Sequence, residues 1–269
     1  MEYFTIKKYN DNLYQIKDKL GVLSTLVIGK DKALLFDTGY GICSLKEEVK
    51  KITNKELIVV NSHGHMDHAC GNYEFDKVYI TKDDISVAKM YNSKKWRTNN
   101  VLRAKAMNAL PINFDEEKYI NQNEGNLCII NIHDIIDLGD LELEVIAMEG
   151  HTKGSIGLFI KKWHLLLASD AACPFVWLFL NESTSVSEYS KMLERVLKLD
   201  FDYFLVGHGM TMYPKQRMYE FLMVSKTIDL DKSVKVTFDQ FEDLNSYCYT
   251  LGTMYDQNDC GIVFDPNKM

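Results

Sequence analysis

The sequence predicts an α+β protein in which two mixed β-sheets pack face to face and helices cover their outer faces. Three observations support this fold class. The chain has 269 residues, of which 46% are hydrophobic and 26% charged, a composition typical of globular proteins. Strand-like and helix-like segments alternate in an irregular order, which fits neither a regular βαβ repeat nor an all-β pattern. The chain has no Pro-, Gly- or Ser-rich linker and no internal repeat, so we expect a single domain over residues 1–269.

The N-terminal third is predicted to begin with strands and to continue with helices and strands in alternation. Runs of β-branched and aromatic residues separated by turn residues indicate four strands: Phe4–Tyr9, Leu13–Lys17, Val22–Gly29 and Ala33–Phe36. Periodic apolar positions and turn signals then indicate a helix, two strands and a second helix, in this order: Leu45–Ile52, Leu57–Val60, Lys77–Ile80 and a helix beginning near Thr81.

The remainder of the chain is predicted to start with a helical insertion or lid at residues 93–126, which is rich in basic side chains and ends in an acidic patch. Four strands are expected after it: Leu127–Ile132, Leu141–Met148, Ser155–Ile160 and His164–Ala168. The last predicted elements are a helix, a strand, a helix with proline in its first turn and two late strands: Ser187–Leu199, Tyr203–Val206, Pro214–Leu230, Val234–Phe238 and Ile262–Phe264.

Charge and cysteine content exclude several classes of protein. The formal net charge is −7, whereas proteins that bind nucleic acids or anionic membranes need a basic surface. None of the six cysteines forms a CxxC pair, which argues against zinc ribbons and thioredoxin-type motifs. The N-terminus resembles no signal peptide, and no apolar run is long enough to span a membrane. We therefore expect a cytoplasmic protein with reduced thiols.

The strongest functional signal is the segment His-Gly-His-Met-Asp-His at residues 63–68, directly after a predicted buried strand. His63 and His65 are two residues apart, so in extended backbone they point to one side. Asp67 and His68 are adjacent and can converge only from a turn, or else bind two neighbouring metal ions. Imidazole and carboxylate ligands suit zinc, and less specifically iron or manganese.

Three further candidate ligands follow predicted strands in the same way. His151 and Asp170 each come after an apolar strand, and His208 lies between two glycines after another. An acidic side chain at the end of a buried strand is costly unless it is paired or bound to metal. The two remaining histidines, His133 and His164, lie in predicted turns and are expected to be bystanders.

These motifs together resemble the metallo-β-lactamase-fold hydrolase superfamily. Its marks occur in order from residue 37 to residue 208: an Asp-Thr-Gly turn, the HxHxDH run, Gly-His-Thr-Lys-Gly-Ser, Ser-Asp and Gly-His-Gly. The resemblance covers most of the chain. It implies a four-layer αβ/βα sandwich with a binuclear metal site at one edge.

The resemblance also implies a role for each residue. One metal would be held by His63, His65 and His151, the other by Asp67, His68 and His208, with Asp170 and a hydroxide bridging them. Asp37 would orient one of the ligands. Two divalent cations, zinc being favoured, lower the pKa of water enough to form hydroxide, which attacks a carbonyl or phosphoryl centre. Asp67 is the predicted catalytic residue, which orients this nucleophile and passes a proton to the leaving group.

The sequence predicts a small-molecule ester, lactone, thioester or phosphoester as substrate, without choosing among them. Lactonases of the superfamily have tyrosine three residues after the bridging aspartate, where this chain has Cys173. Cys173, Trp177 and Phe179 are candidates to line the substrate pocket, because an apolar run follows Asp170 directly; the alternative is that this run belongs to the core. If residues 93–118 form a lid, Trp96, Arg97 or Arg103 is the candidate to meet an acidic substrate; the alternative is a solvent-exposed helical face.

Two other function classes remain open at this point. An iron-dependent oxidoreductase on the same fold, flavodiiron-like or sulfur dioxygenase-like, is compatible with these ligands. A metal-binding or sensing protein without catalysis is less compatible, because the ligand set is complete. We expect a small-molecule substrate and no nucleic-acid or membrane partner; the oligomeric state stays open, with a homodimer as one candidate.

Overall fold

The computed structural model describes residues 2–256 and 258–269. The chain forms two compact units. The first comprises the residues up to Val145 together with Gly207–Met210, and the second comprises Ile146–Val206 and Thr211–Met269. The single domain over residues 1–269 therefore stays a prediction. No helix in the described part of the chain is long and apolar enough to cross a membrane.

The first unit contains a seven-stranded sheet whose strands follow one another in chain order. The first four form an antiparallel meander, and the fifth to seventh are added in parallel. Parallel neighbours need a crossover, and helices supply it here. The strands are β1 Thr5–Asn10, β2 Leu13–Lys17, β3 Leu23–Ile28, β4 Lys32–Phe36, β5 Glu56–Val60, β6 Val78–Ile80 and β7 Leu127–Ile129.

Five helices lie between the strands of this sheet: α1 Leu45–Ile52, α2 Met66–Ala69, α3 Ile85–Tyr91, α4 Lys94–Ala106 and α5 Glu116–Ile120. The first has the bounds that the sequence predicts. The Ser44 side chain caps it by accepting a hydrogen bond from the Glu47 amide, and Leu45 and Val49 are its buried residues. Helices α4 and α5 give residues 93–126 the predicted helical content, and the function of this range as a lid stays a prediction.

The first unit ends in a hairpin. Strand β8 (Ile135–Asp137) pairs antiparallel with β9 (Glu142–Ala147). The boundary between the two units falls within β9, after Val145.

The second unit contains the end of β9, two groups of strands and two helices. One group has the order β14-β13-β11-β10-β9 and the other the order β12-β17-β16-β15. The strands are β10 Ile156–Ile160, β11 Leu165–Ser169, β12 Phe175–Leu178, β13 Tyr203–Val206, β14 Met212–Pro214, β15 Val234–Val236, β16 Ser246–Thr250 and β17 Gly261–Phe264. The helices are α6 Val186–Val196 and α7 Gln216–Lys226. Buried apolar side chains of both helices pack with those of β11 and β13 in one core.

Two sequence predictions in the second unit are wrong. Pro214 was expected in the first turn of a helix, but it ends β14, an edge strand in which a missing amide donor is tolerated. His164 was expected to begin a strand, but it has φ 47°, which is a left-handed turn conformation. Strands β8, β12 and β16 were not predicted as strands, because they are short or lie in segments without regular alternation.

Candidate metal centre

Asp37 occupies the point where β4 ends beside β5. The two strands are parallel and pair Phe36 with Val60, so the residues that follow them emerge at the same edge of the sheet. Asp37 has φ 72° and is 1% exposed. Its carboxylate accepts hydrogen bonds from the Ser62 amide (2.7 Å) and from the Ser62 hydroxyl (2.8 Å). The buried charge therefore has polar partners on the neighbouring strand end.

The same carboxylate fixes the orientation of two histidine rings. His68 Nδ1 lies 2.9 Å from Asp37 Oδ2 and donates to it. Ser62 Oγ gives its single proton to Asp37, so it accepts from His63 Nδ1 at 2.8 Å. In both rings Nδ1 carries the proton, which leaves the lone pair of Nε2 available to a cation.

His63 and His65 present nitrogen atoms to one another across 3.1 Å, from His63 Nε2 to His65 Nδ1. The glycine between them allows this turn to lie against α3, because a Cβ at Gly64 would stand 2.5 Å from the Ala88 nitrogen. The Gly64 amide donates to the buried Asp84 carboxylate at 2.7 Å. Asp84 therefore anchors the backbone between the two candidate ligands.

The next two candidate ligands lie on α2, a single helical turn that begins directly after His65. Asp67 Oδ2 is 3.6 Å from His68 Nε2 and 3.3 Å from His208 Nε2. Ligand atoms bound about 2.1 Å from one tetrahedral zinc lie roughly 3.4 Å apart. The first unit thus groups Asp67, His68 and His208 at the spacing of a shared cation.

His208 reaches this group from a loop held against the first strands of the sheet. The Leu23 amide donates to the Gly207 carbonyl at 2.9 Å, and Val22 forms an antiparallel bridge with His208. Lys7 Nζ donates to the Met210 carbonyl at 2.6 Å. The His208 side chain is 45% exposed, so this corner of the group is open to solvent.

In the second unit, His151 and Asp170 lie side by side, with His151 Nε2 3.9 Å from Asp170 Oδ2. His151 Nδ1 donates to the Trp177 carbonyl at 2.9 Å, which directs the lone pair of Nε2 toward the aspartate. Asp170 follows Ser169, whose φ of 46° is unusual for a residue with a side chain. These two predicted ligands therefore have the donor atoms and orientation that a cation requires.

The three predicted pocket residues differ in accessibility. Trp177 and Cys173 are half-buried, whereas Phe179 is 1% exposed and stacks on Phe238 at 5.2 Å between ring centroids. This burial favours a packing role for Phe179. Burial, assisted by the nearby Asp170 carboxylate, raises the pKa of the Cys173 thiol well above its ordinary value, so Cys173 is a neutral thiol at physiological pH.

Arg97 cannot meet a substrate as predicted, because its side chain is fully buried. Its Nη2 atom donates to the Cys70 carbonyl at 3.0 Å, which ties α4 to the end of α2. The two bystander histidines are exposed: His133 Nδ1 pairs with Glu144 at 2.9 Å, and His164 Nδ1 donates to the Asp200 carbonyl at 3.0 Å.

Asp37 was predicted to orient a ligand, but sequence reasoning missed the other groups that contact the candidate ligands. Ser62 had a signal, since it is a hydroxyl directly before His63 at the end of an apolar strand. Asp84 lies close to the predicted helix start near Thr81, and its contact with Gly64 depends on how α3 folds back. The Trp177 carbonyl is a backbone group, so no side-chain pattern could identify it.

Comparisons with known proteins agree on one family. The family model described as the metallo-beta-lactamase superfamily matches residues 18–208. The chain is 24% identical over 220 residues to the acyl-coenzyme A thioesterase MBLAC2 of Homo sapiens, covering 74% of this chain and 77% of that protein.

Solved structures give the same result at lower identity. The sec-alkylsulfatase Pisa1 from Pseudomonas sp. superposes with a TM-score of 0.62 and 15% identity over 83% of this chain, which spans only 41% of that protein. A metallo-beta-lactamase from Pontibacter korlensis superposes with a TM-score of 0.58 and 14% identity, covering 84% of this chain and 100% of that one. At these identities the likeness shows a common fold.

Proposed function

Because the chain belongs to the metallo-beta-lactamase superfamily and is a metal-dependent hydrolase, we propose that it hydrolyses small acyl thioesters at a binuclear metal centre. The predicted fold class is confirmed: the chain has the metallo-beta-lactamase fold, with mixed sheets and helices. Among the ester, lactone, thioester and phosphoester substrates that the motifs allow, the thioester is favoured by the curated human relative, which is named an acyl-coenzyme A thioesterase.

The donor chemistry supports two cations. We assign His63, His65 and His151 to one metal ion, Asp67, His68 and His208 to the other, and Asp170 to a bridging position. Within the first unit, donor atoms of different residues converge to between 3.1 and 3.6 Å. A set of imidazoles and carboxylates without cysteine favours zinc in an open, catalytic site over a closed structural one. Two such cations, when bound, lower the pKa of a water molecule and polarise the carbonyl oxygen of the substrate.

Asp67 is the residue that we assign to proton transfer. Its side chain is 16% exposed and lies beside the half-exposed His208, so a water molecule and a substrate can reach it. In thioester hydrolysis the water oxygen adds to the carbonyl carbon, the carbon–sulfur bond breaks, and the leaving sulfur receives a proton. Asp67 orients the water, accepts its proton and passes that proton to the sulfur.

Asp37 and Ser62 keep the ligands ready for this reaction. The direct bond to His68 and the Ser62 link to His63 hold both rings in the tautomer with a free Nε2 lone pair. A ligand that is already oriented loses less conformational freedom when a cation binds. This buried carboxylate is the observation that carries the proposal, because it holds the His68 ring directly and the His63 ring through Ser62.

A substrate panel tests the proposed function. Purified protein is loaded with zinc, manganese or iron and supplied with matched acyl thioesters, oxygen esters, lactones and phosphoesters. We expect the highest kcat/KM on a thioester with the zinc form. Hydrolysis confined to phosphoesters, or oxygen consumption by an iron form without hydrolysis, contradicts the proposal, and the second result favours the oxidoreductase alternative.

The cytoplasmic location, the oligomeric state and the absence of nucleic-acid and membrane partners remain predictions from the sequence.

A further inference from the structure

One segment of this acidic protein contains no acidic residue. Residues 85–114, which comprise α3, α4 and the turn after them, have six Lys or Arg and no Asp or Glu, whereas the whole chain has a net charge of −7. A local excess of one sign creates a positive potential that attracts anions even when the protein as a whole is negative. The segment is therefore a candidate recognition surface for an anionic ligand.

Several cations of this segment remain available on its surface. Lys94, Lys95 and Arg103 are exposed, and none of them forms an ion pair with any residue that the structure describes. Lys105, by contrast, is paired with Glu116 at 2.7 Å, and Arg97 is buried. Exposed cations without counterions keep their full charge for an incoming ligand.

Lys95 and Arg103 lie on the same side of α4. They are separated by eight residues, which corresponds to about 12 Å along a helix and brings the side chains back to the same face. The residue between them on this face is Asn99, which is half-buried and polar. Two cations at this separation, with an amide between them, form a track along which a ligand with several phosphate groups can bind.

An aromatic path connects this surface to the candidate metal ligands within the first unit. The His65 and Tyr91 ring centroids are 4.8 Å apart, and the Tyr91 and Trp96 centroids are 4.7 Å apart. Lys95 Nζ lies 6.0 Å from the Trp96 ring centroid. Trp96 is half-buried, so part of the indole is exposed to solvent. An aromatic ring next to a cation is a suitable platform for a nucleotide base and its phosphate.

Helix α4 is also tied to the turn that follows β4. Asn100 Nδ2 donates to the Tyr119 hydroxyl at 3.2 Å, and that hydroxyl donates to the Tyr40 carbonyl at 2.8 Å. The half of α4 that carries Arg103 is therefore held against the turn that begins at Asp37.

We propose that the exposed face of α4 formed by Lys95, Trp96 and Arg103 binds the phosphate-bearing nucleotide part of a coenzyme A thioester. This inference rests on the proposed function, because it assigns the part of a thioester substrate that does not react. Binding energy from a remote part of the substrate positions the reacting carbonyl. A nucleotide is favoured over a simple anion because the face combines two cations with an aromatic ring.

Binding of free coenzyme A tests the inference without catalysis. The ligand is titrated calorimetrically into the wild type, into Lys95→Glu/Arg103→Glu, and into the matched control Lys161→Glu/Lys198→Glu. The control has the same change in net charge at exposed sites of the second unit. We expect Kd to rise at least tenfold in the first variant and less than twofold in the control, with similar thermal unfolding of all three. An equal loss of affinity in both variants, or no loss in either, overturns the inference.

Kinetics separate this inference from the proposed function. We compare kcat/KM for an acyl-coenzyme A with kcat/KM for the same acyl group on pantetheine, which lacks the nucleotide. The ratio of the first value to the second should fall about tenfold in Lys95→Glu/Arg103→Glu. Hydrolysis of both thioesters with an unchanged ratio overturns the inference and leaves the proposed function intact. Hydrolysis of neither thioester contradicts the proposed function, and the calorimetric result then decides the inference alone.

An anionic membrane is the competing ligand for residues 85–114, because this segment also exposes apolar side chains such as Leu102 and Ile112. Sedimentation with phosphatidylserine vesicles and with neutral phosphatidylcholine vesicles tests this ligand. If only the anionic vesicles bind, if Lys95→Glu/Arg103→Glu abolishes that binding, and if coenzyme A affinity is unchanged, the surface binds membranes and the inference is wrong. We expect no vesicle binding.

Discussion

Asp37 Oδ2 lies 2.9 Å from His68 Nδ1 and accepts a hydrogen bond from it. The same oxygen accepts a hydrogen bond from the Ser62 hydroxyl, and that hydroxyl accepts one from His63 Nδ1. One buried carboxylate thus sets the tautomer of two candidate ligands that the metal assignment places on different cations. The arrangement follows from the sheet: β4 and β5 are parallel neighbours, so the segment after β5, which carries both histidines, leaves the sheet where Asp37 enters its turn. A change at Asp37 should therefore affect both cations.

Asp37→Asn should lower metal affinity without unfolding the protein. Asparagine has a similar volume but only one acceptor oxygen, so it cannot accept from Ser62 and His68 in the same way. Loss of a partner that orients a metal-binding histidine typically costs 10- to 100-fold in affinity. Competition with a chromophoric chelator measures the zinc affinity. The matched variant Ser62→Ala breaks only the link to His63, so we expect a smaller loss there; a larger loss in Ser62→Ala contradicts the relay.

Asp67→Asn should abolish most thioester hydrolysis. The amide cannot accept a proton, and removal of a general acid–base group typically costs about 10²- to 10⁴-fold in rate. The expected result is a fall of this size in kcat, measured at saturating zinc so that weaker metal binding does not determine the rate. Asp83→Asn is the matched control, because Asp83 is an exposed aspartate of the same unit. Equal kcat values for the Asp67 variant and the wild type would refute the catalytic role.

Gly64→Ala should destabilise the fold because of the close approach of α3. The added methyl group would lie 2.5 Å from the Ala88 nitrogen and 2.8 Å from the Asp84 carbonyl oxygen, and both are backbone atoms that cannot rotate away. Overpacking of this kind costs about 1–3 kcal/mol of unfolding free energy. Urea denaturation measures it, with Ser86→Ala on the exposed side of α3 as control. An unchanged midpoint would show that α3 shifts easily.

The sequence singled out the candidate ligands because metal chemistry restricts residue types and spacing. His63, His65, Asp67 and His68 form a dense motif whose local geometry follows from a strand end and one turn of helix. It could not reveal that Arg97 is buried, because an arginine in a basic, polar helix gives no pattern that separates an interior position from an exposed one. Its burial depends on Tyr73 and Tyr119, whose rings lie 5.3 and 4.9 Å from the guanidinium carbon.

The accessibility of the candidate pocket residues was harder to predict for a similar reason. Trp177 and Phe179 are two residues apart on one apolar run and both pack against Phe238, yet Phe179 is 1% exposed whereas Trp177 is half-buried. Long-range packing of this kind has no local signature in the sequence. The sequence shows the basic residues of 85–114. Only the structure shows that Lys105 pairs with Glu116, whereas Lys95 and Arg103 form no ion pair with any residue that it describes.

Asp18 should make the stability of the metal-free protein depend on pH. Burial raises the pKa of its carboxyl to about 6, and repulsion by Asp67 adds to this rise, although the amides of Leu20, Gly21 and Val22 donate to the carboxylate and oppose it. The folded protein therefore binds this proton more tightly than the unfolded chain, where the pKa is 3.8. This contribution to stability is complete below pH 3.8 and is lost as the pH rises through about 6.

The variant Asp18→Asn isolates this titration, because asparagine keeps an acceptor oxygen for the three amides and has no charge at any pH. Its unfolding free energy relative to the wild type should increase by roughly 2.4 kcal/mol between pH 4 and pH 7, because the unfolded carboxyl is already partly ionised at pH 4 and each unit of pKa difference contributes about 1.4 kcal/mol. Urea denaturation of chelator-treated protein at several pH values measures the difference. A constant difference across this range would mean that Asp18 titrates at its ordinary pKa, and that neither burial nor Asp67 disfavours its charge.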